Sequence, residues 1–524
     1  MLDLLLVNAP SRERVYGPLT EFAAIEPPVW AGLIATAARR AGFSVAILDA
    51  EAEGLTVAQT ARRIVGLHPR LAAFAIYGQQ PSASTQCLPA ASAVAKLVQE
   101  GHMLGSTYDI PTLAFGTHPS ALPERMVREE SFDYAATGEA SLTILGLLQR
   151  VPPSIIPSLR FKGRGEVVAR SLVDATLIQN LDAVLPGQAW DLLDMTRYRA
   201  HNWHLWTAQC EIEVIPTRDF TAEPTGRERY TGGYASVQTS LGCPFRCTFC
   251  CINAPFGGSS IRYWSVENVI RQIGDLVDIH HITNIKIPDE MFTLNPARVK
   301  ELCRALIAPG YGKQLNIWAY ARIDTVRDEE MLTLMREAGF RWLGLGIESG
   351  SAHVRDGVAK GKFGTEDIFE AVARVRSAGI CVGANYIFGL PDDTYESMQE
   401  TLDLACALNT EWANFYCAMA YPGSALHAQV AHEHPEWLPE NNPCGWVGYS
   451  QHAAETLPLP TATLSAAEVL AFRDEAFMRY FSRPKYLTML RARFDARAVS
   501  DVHRMLAAGK PARDLLKKKE EVLK

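Results

Sequence analysis

Leu241-Gly242-Cys243-Pro244-Phe245-Arg246-Cys247-Thr248-Phe249-Cys250-Cys251 is the stretch on which the reading of this chain turns. Its first three cysteines have the spacing C-x3-C-x2-C. Eleven cysteines occur among 524 residues, a frequency at which chance sets this spacing somewhere in the chain about 0.005 times. Three thiolates on one short loop can hold three corners of a 4Fe–4S cube, because thiolate is the ligand such clusters use. Zinc needs a fourth ligand to close a tetrahedron, usually from a second Cys or His pair. No second Cys pair is present, and Cys251 is too close to Cys250 to join it easily on one ion. A cube with one iron left open fits better, and that iron is available to a substrate or cofactor. The remaining cysteines, at 87, 210, 303, 381, 406, 417 and 444, stand singly and read as small buried core residues.

Outward from the cysteines the chain alternates strands and long helices. Strands are expected at 235–240, 284–287, 315–319, 342–347, 381–388 and 412–419, and helices at 266–279, 296–307, 328–338, 368–378 and 395–408. Ser265, Asn295-Pro296 and a capping box Thr325-x-x-Asp328 mark helix starts. Six strand–helix units are too few for the eight of a closed barrel, so a partial (β/α)6 barrel is expected over 233–430, with its chemistry on the loops after the strands.

Residues 1–150 show a second alternation, with strands at 4–8, 44–49, 72–77, 112–115 and 134–137 and helices at 29–40, 57–65, 90–99, 121–130 and 141–148. Continuous apolar strands separated by helices predict a doubly wound parallel sheet, Rossmann-like, with a ligand beyond the carboxyl ends of its strands. Those ends carry Asn8-Ala9-Pro10, Gly78-Gln79-Gln80-Pro81-Ser82, Gly116-Thr117-His118-Pro119 and Gly138-Glu139. Residues 151–232 lose the alternation and read as a connecting segment. Residues 431–524 read as a Trp-rich stretch followed by helix from Ala466. Trp437, Trp446 and Tyr480-Phe481 there could cap an active site or simply pack.

The composition excludes several classes. At 48% hydrophobic and 21% charged the chain is globular, and 524 residues call for more than one domain. A net charge of −7 gives no basic field for nucleic acid, and the lysines at 517–519 read as a solvated helix end. The apolar run 29–38 stops at Arg39-Arg40, short of the ~20 residues that a bilayer requires. The first residues show no basic region leading into a long apolar one. No membrane partner and a cytoplasmic location are therefore expected.

The cysteine spacing after the first strand of a partial barrel resembles the radical S-adenosylmethionine superfamily. So do Ile287-Pro288-Asp289-Glu290-Met291-Phe292, Gly346-Ile347-Glu348-Ser349-Gly350-Ser351, Phe388-Gly389-Leu390-Pro391 and Tyr421-Pro422-Gly423-Ser424, in this order at successive strand ends. The resemblance implies that Cys243, Cys247 and Cys250 hold the cluster. It implies that Asp289, Glu290, Tyr320, Arg322, Glu348, Ser349 and Gly389 attend S-adenosylmethionine bound at the open iron. Glu26-Pro27-Pro28, the 115–124 stretch and Phe132-Asp133-Tyr134-x3-Gly138-Glu139 resemble the cobalamin-binding domain of cobalamin-dependent members, and 181–191 resembles their joining segment. Asn8, Pro10, Gln79, Ser82, Gly116, Thr117, His118, Gly138 and Glu139 are then expected near cobalamin. The Asp-x-His-x-x-Gly motif by which many cobalamin proteins supply an axial histidine is absent after the first strand, as the resemblance to the radical methylases implies, since these commonly lack it. The nearest string, Asp49-Ala50-Glu51-Ala52-Glu53-Gly54, has Glu at the His position.

This resemblance implies a radical methyltransferase that passes a methyl group from methylcobalamin to an unactivated carbon of a small molecule, fed by a donor such as flavodoxin or ferredoxin. Cyclisation or rearrangement without methyl transfer is the alternative within the family. A non-catalytic iron–sulfur electron carrier or cobalamin sensor is the alternative from another class.

Overall fold

In the first half of the chain, strands β1 (Leu4–Asn8), β2 (Val45–Asp49), β3 (Leu71–Ile76), β4 (Thr112–Gly116) and β5 (Tyr134–Ala136) pair in parallel in the order β2-β1-β3-β4-β5. Every residue of β3 and β4 is buried, as continuous apolar runs between two helix layers require. The computed structural model describes residues 2–78, 83–101, 109–163, 168–173, 177–206, 233–508 and 512–517. The sheet reverses direction of growth between β1 and β3, so the loops after those strands diverge and leave a crevice at their carboxyl ends. It also runs past residue 150. β6 (Leu159–Lys162) and β7 (Val168–Arg170), inside the segment read as a connector, add to it antiparallel.

The second sheet has six parallel strands in strict chain order: β8 (Gly233–Ser236), β11 (Ile282–Ile287), β12 (Asn316–Arg322), β13 (Phe340–Glu348), β14 (Cys381–Phe388) and β15 (Trp412–Cys417). Between β8 and β11, the short antiparallel pair β9 (Ser240–Leu241) and β10 (Arg262–Tyr263) closes the base of the cysteine loop. The helices Ala466–Phe481, Pro484–Arg493 and Ala496–Ala507 follow. The first of them packs on β14 and β15. Among the described residues no helix is long and apolar enough to cross a membrane.

Several expectations are corrected here. The helix expected at 121–130 is two, Thr117–Ala121 and Pro123–Arg128, because Pro123 disfavours helical geometry at Leu122, whose φ is −129°. The capping box at Thr325 is not formed. Asp328 caps the helix Glu329–Glu337 by accepting from the Met331 amide, while the Thr325 hydroxyl is engaged by Thr293. β12 and β13 extend further than expected, which carries Arg322 and Glu348 on strand ends rather than on loops.

Candidate functional site

The cysteine loop is shaped by one glycine and one asparagine. Gly242 has φ +88°, and a Cβ there would lie 2.4 Å from the Ser260 carbonyl, so no other residue fits the turn that starts the loop. Asn253 accepts from the Cys243 amide (3.1 Å) and donates to the Cys243 carbonyl (2.9 Å), pinning the loop to its own far side. Asn253 gave no signal in the sequence, since its partners are backbone groups. The loop places Cys243, Cys247 and Cys250 in the wall of a cavity of about 390 Å³, and Cys251 lies in the same wall.

Among the described residues no three His, Cys, Asp or Glu side chains converge as they would around a single ion. The donor set nonetheless suits a cube, whose thiolates bind separate irons. Burial, reinforced by Glu290, pushes the Cys243 thiol up to about 11 and Cys251 to about 12, so ligation must displace protons. Positive charge stands ready beside the loop. Arg322 Nη1 is 3.9 Å from Cys247 Sγ, and its guanidinium lies 3.9 Å over the Phe245 ring.

Of the residues expected near S-adenosylmethionine, Glu290, Tyr320, Arg322 and Glu348 line this cavity with the cysteines. Burial raises Glu290 to about 7, with Lys286 opposing the shift. Glu348 sits at φ +68° and is paired with Lys360, a cavity residue that sequence reasoning missed because it falls in no strand-end motif. The other three expected residues are not brought to the cavity. Asp289 is buried and spends both carboxylate oxygens on Thr239 and Ser240, tying the β8–β9 corner to the end of β11. Ser349 faces Thr401 at 3.2 Å. Gly389, at φ +79°, is covered by Val469, which a Cβ there would approach to 2.5 Å.

A second cavity opens in the crevice between β1 and β3 and shares Tyr16, Gln86, Ile252 and Glu290 with the first. Asn8 and Thr117 line it, as do Glu26, Glu51 and Gly78. The residues fit a flat group fringed with amides. Thr117 Oγ1 and Tyr77 Oη are buried without a hydrogen-bond partner, and Trp30 and Tyr77 stack at 5.0 Å to give an apolar wall. Gly116 has φ +134°, and a Cβ there would lie 2.4 Å from the Ile76 carbonyl, so only glycine fits the end of β4. Glu26, in the wall of the second cavity, forms a buried ion pair with Lys286 at the end of β11 (2.9 Å) and so joins the two domains.

The remaining residues expected at cobalamin lie elsewhere. Pro10, Gly138 and Glu139 line neither cavity. The Gly138 amide donates to Ser120, and Glu139 is held by Arg262 (2.7 Å) and the Ile178 amide, which braces β10 against the first domain. Gln79 and Ser82 fall outside the described residues. His118 is buried behind the cavity, with Nδ1 3.0 Å from Thr85 Oγ1 and its ring edge-on to Trp446 at 4.6 Å. Burial drops His118 to about 3, so it is neutral. No histidine lines the second cavity among the described residues, and the Glu of the Asp49–Gly54 string does. Glu51 accepts the amides of Ser11 and Arg12 after β1.

In the C-terminal region, Tyr480 and Phe481 pack in the core and Trp437 stacks on His434. Phe477 and Met478 from the same helix reach the first cavity instead.

Comparison with known proteins agrees with this geometry. Residues 237–405 match the radical SAM superfamily and residues 17–148 match the B12 binding domain. The chain is 26% identical over 495 residues to an uncharacterized methyltransferase of Pyrococcus horikoshii, covering 93% of this chain and 94% of that one. In fold it resembles the cobalamin-dependent S-adenosylmethionine radical enzyme OxsB (TM-score 0.67, 15% identity, 97% of this chain and 72% of that one). It also resembles the radical S-adenosylmethionine methyltransferase TsrM of Kitasatospora setae, solved with cobalamin and a [4Fe-4S] cluster bound (TM-score 0.60, 19% identity, 83% and 75%). With a B12-binding domain joined to a radical SAM domain, and two cavities that meet at Glu290, the chain has the domain composition of the cobalamin-dependent radical SAM enzymes.

Proposed function

We propose that this enzyme methylates an unactivated carbon of a small molecule. The observation that carries the reading is the union of the two cavities, which share four lining residues. A methyl group held at one cofactor and a substrate carbon activated at the other must meet within bonding distance, and only a common chamber permits that. When bound, the cluster supplies the electron that cleaves S-adenosylmethionine, and cobalamin carries the methyl group.

The chain's own residues then have separable tasks. Cys243, Cys247 and Cys250 hold three irons. Arg322 lays positive charge beside the cysteine loop and opposes the upward push of burial on the Cys243 thiol. Glu348, fixed by Lys360, presents a charged acceptor for the cofactor's polar groups, and Tyr320 lines the same wall. Asn8 and Thr117 form the seat at the strand ends of the first domain. Trp203, Trp318 and Trp412 fill the barrel interior and keep water from the reacting carbon.

All ten described cysteines are free of disulfides, in keeping with a reducing cytoplasm, where a small donor of the flavodoxin or ferredoxin kind would deliver electrons. The experiment is anaerobic turnover with reductant, cobalamin and S-adenosylmethionine, with a cell extract as the source of substrate. Methyl transfer yields both S-adenosylhomocysteine and 5′-deoxyadenosine. Deoxyadenosine alone, in every extract that is consumed, would assign the enzyme to cyclisation or rearrangement.

A further inference from the structure

The C-terminal helix Ala466–Phe481 turns two charged side chains, Arg473 and Asp474, into the first cavity, outside the residues matched by either family pattern. Both are 4% exposed. Asp474 is shared. Its Oδ1 lies 2.9 Å from Arg473 Nη1, and its Oδ2 lies 2.9 Å from Arg513 Nε. Arg513 is satisfied throughout, by Asp474, the Ala453 carbonyl and Thr456. Arg473 is not. One nitrogen reaches Asp474 and another the Gln451 carbonyl, the Cys417 thiol lies beside the guanidinium, and Nε is buried with no hydrogen-bond partner. Two guanidiniums thus share one carboxylate, leaving one positive charge in excess in the cavity wall.

Beside them, His452 lines the same cavity, its ring 5.7 Å from Tyr16 and its Nδ1 buried without a partner. Burial and the two arginines hold this imidazole neutral, so it adds a hydrogen-bonding group rather than a further charge. Gln451 bonds the backbone of Cys417 through both its amide atoms (2.8 and 2.9 Å), which sets this polar pole at the carboxyl end of β15. The rest of the wall is of another kind. Trp203 lies edge-on to Trp318 at 5.2 Å and stacks on Trp412 at 5.8 Å, and Phe415 and Phe477 extend the aromatic surface.

A buried charge in excess of its partners is costly, and an anionic ligand that completes it offsets that cost. We propose that the substrate is an aromatic or otherwise flat apolar molecule bearing an anionic oxyacid group, and that Arg473, with His452, receives that group. This rests on the reading of the cavity as the substrate site. Placing the anion at β15 fixes which end of the molecule faces the cysteine loop, so Arg473 is a specificity-determining residue in a region that carries no family motif.

The test uses equilibrium dialysis of the reconstituted holoenzyme with three probes of one shape: 1-naphthoate, 1-naphthyl phosphate and 1-naphthylmethanol. At least one anion should bind about tenfold or more tightly than the alcohol, the scale of one charge-assisted contact. Whichever anion wins distinguishes carboxylate from phosphate. Arg473→Gln should erase the preference and leave the alcohol's affinity unchanged, because Asp474 keeps Arg513 as its partner. Arg473→Lys should retain part of it. Equal affinities in the wild type, no binding of any probe, or a preference that survives Arg473→Gln would each overturn the proposal. The wild-type comparison needs no variant, so it decides even if Arg473→Gln does not fold. Formation of S-adenosylhomocysteine is read separately. Its absence alongside a clear anion preference would remove the methyltransferase reading and leave the anion site standing.

Discussion

Glu348 Oε1 and Lys360 Nζ lie 2.6 Å apart as a buried ion pair in the cavity wall that the cluster cysteines also form. Removing one partner strands the other charge, and the site has other charges to misdirect, since Arg322 also bonds the Lys360 carbonyl. Glu348→Ala should therefore weaken S-adenosylmethionine binding by about tenfold or more while iron content stays at the wild-type level. Dialysis against labelled cofactor measures the first and a colorimetric iron assay the second. An unchanged dissociation constant would make the pair purely structural.

Anaerobically reconstituted protein should carry about four irons, and changing Cys243, Cys247 and Cys250 together to Ala should remove them with the cluster's visible absorbance. Cys251 shares the cavity wall but stands outside the C-x3-C-x2-C spacing and directly beside Cys250, so Cys251→Ala should keep the iron. Iron loss in that variant as complete as in the triple one would reassign the ligands.

His118 meets Thr85 through Nδ1 and packs edge-on to Trp446, and no imidazole lines the second cavity among the described residues. Bound cob(II)alamin should then show no nitrogen splitting from a protein ligand in its electron paramagnetic resonance spectrum. The spectrum of His118→Ala should match that of wild type. Splitting that is present in wild type and lost in the variant would make His118 the axial ligand.

Glu51 is held up to about 7 by burial, against its ordinary value of 4.5. The folded protein therefore keeps a proton on Glu51 that the unfolded chain has released, and this site costs stability as pH rises from about 4.5 to about 7, levelling off above. Glu51→Gln retains an oxygen to accept the Ser11 and Arg12 amides but cannot ionise. The variant should gain stability relative to wild type at pH 8, by about 3 kcal/mol at most, and little at pH 5. Thermal melts of the apo protein at both values read the difference. A gap that is the same at the two pH values would show that Glu51 does not titrate in this window.

Gly389→Ala places a methyl group against Val469 in a left-handed backbone, and should cost about 1–3 kcal/mol of stability. Cofactor affinity should be unchanged, because Gly389 does not line the cavity. A fall in affinity without loss of stability would return Gly389 to the cofactor.

What the sequence determined by itself is local or periodic. The cysteine spacing, the apolar strands and the Ser265 and Asn295 caps each depend on a few consecutive residues, so the parallel strands of both sheets, the cysteine loop and the helices Val29–Arg40, Pro296–Ile307 and Tyr395–Leu408 are legible in the sequence, whereas the antiparallel β6 and β7 are not. The choice among polar residues at the strand ends was not. Asp289, Ser349, Gly389 and Glu139 occupy motif positions as good as those of Glu290 and Glu348, yet their partners are Thr239, Thr401, Val469 and Arg262, each distant in sequence. Lys360, Asn253 and Arg473 were invisible for the same reason. A side chain becomes a site residue or a brace according to which groups tertiary packing sets beside it, and only the folded chain brings Arg473 and Arg513 to one carboxylate in the cavity wall.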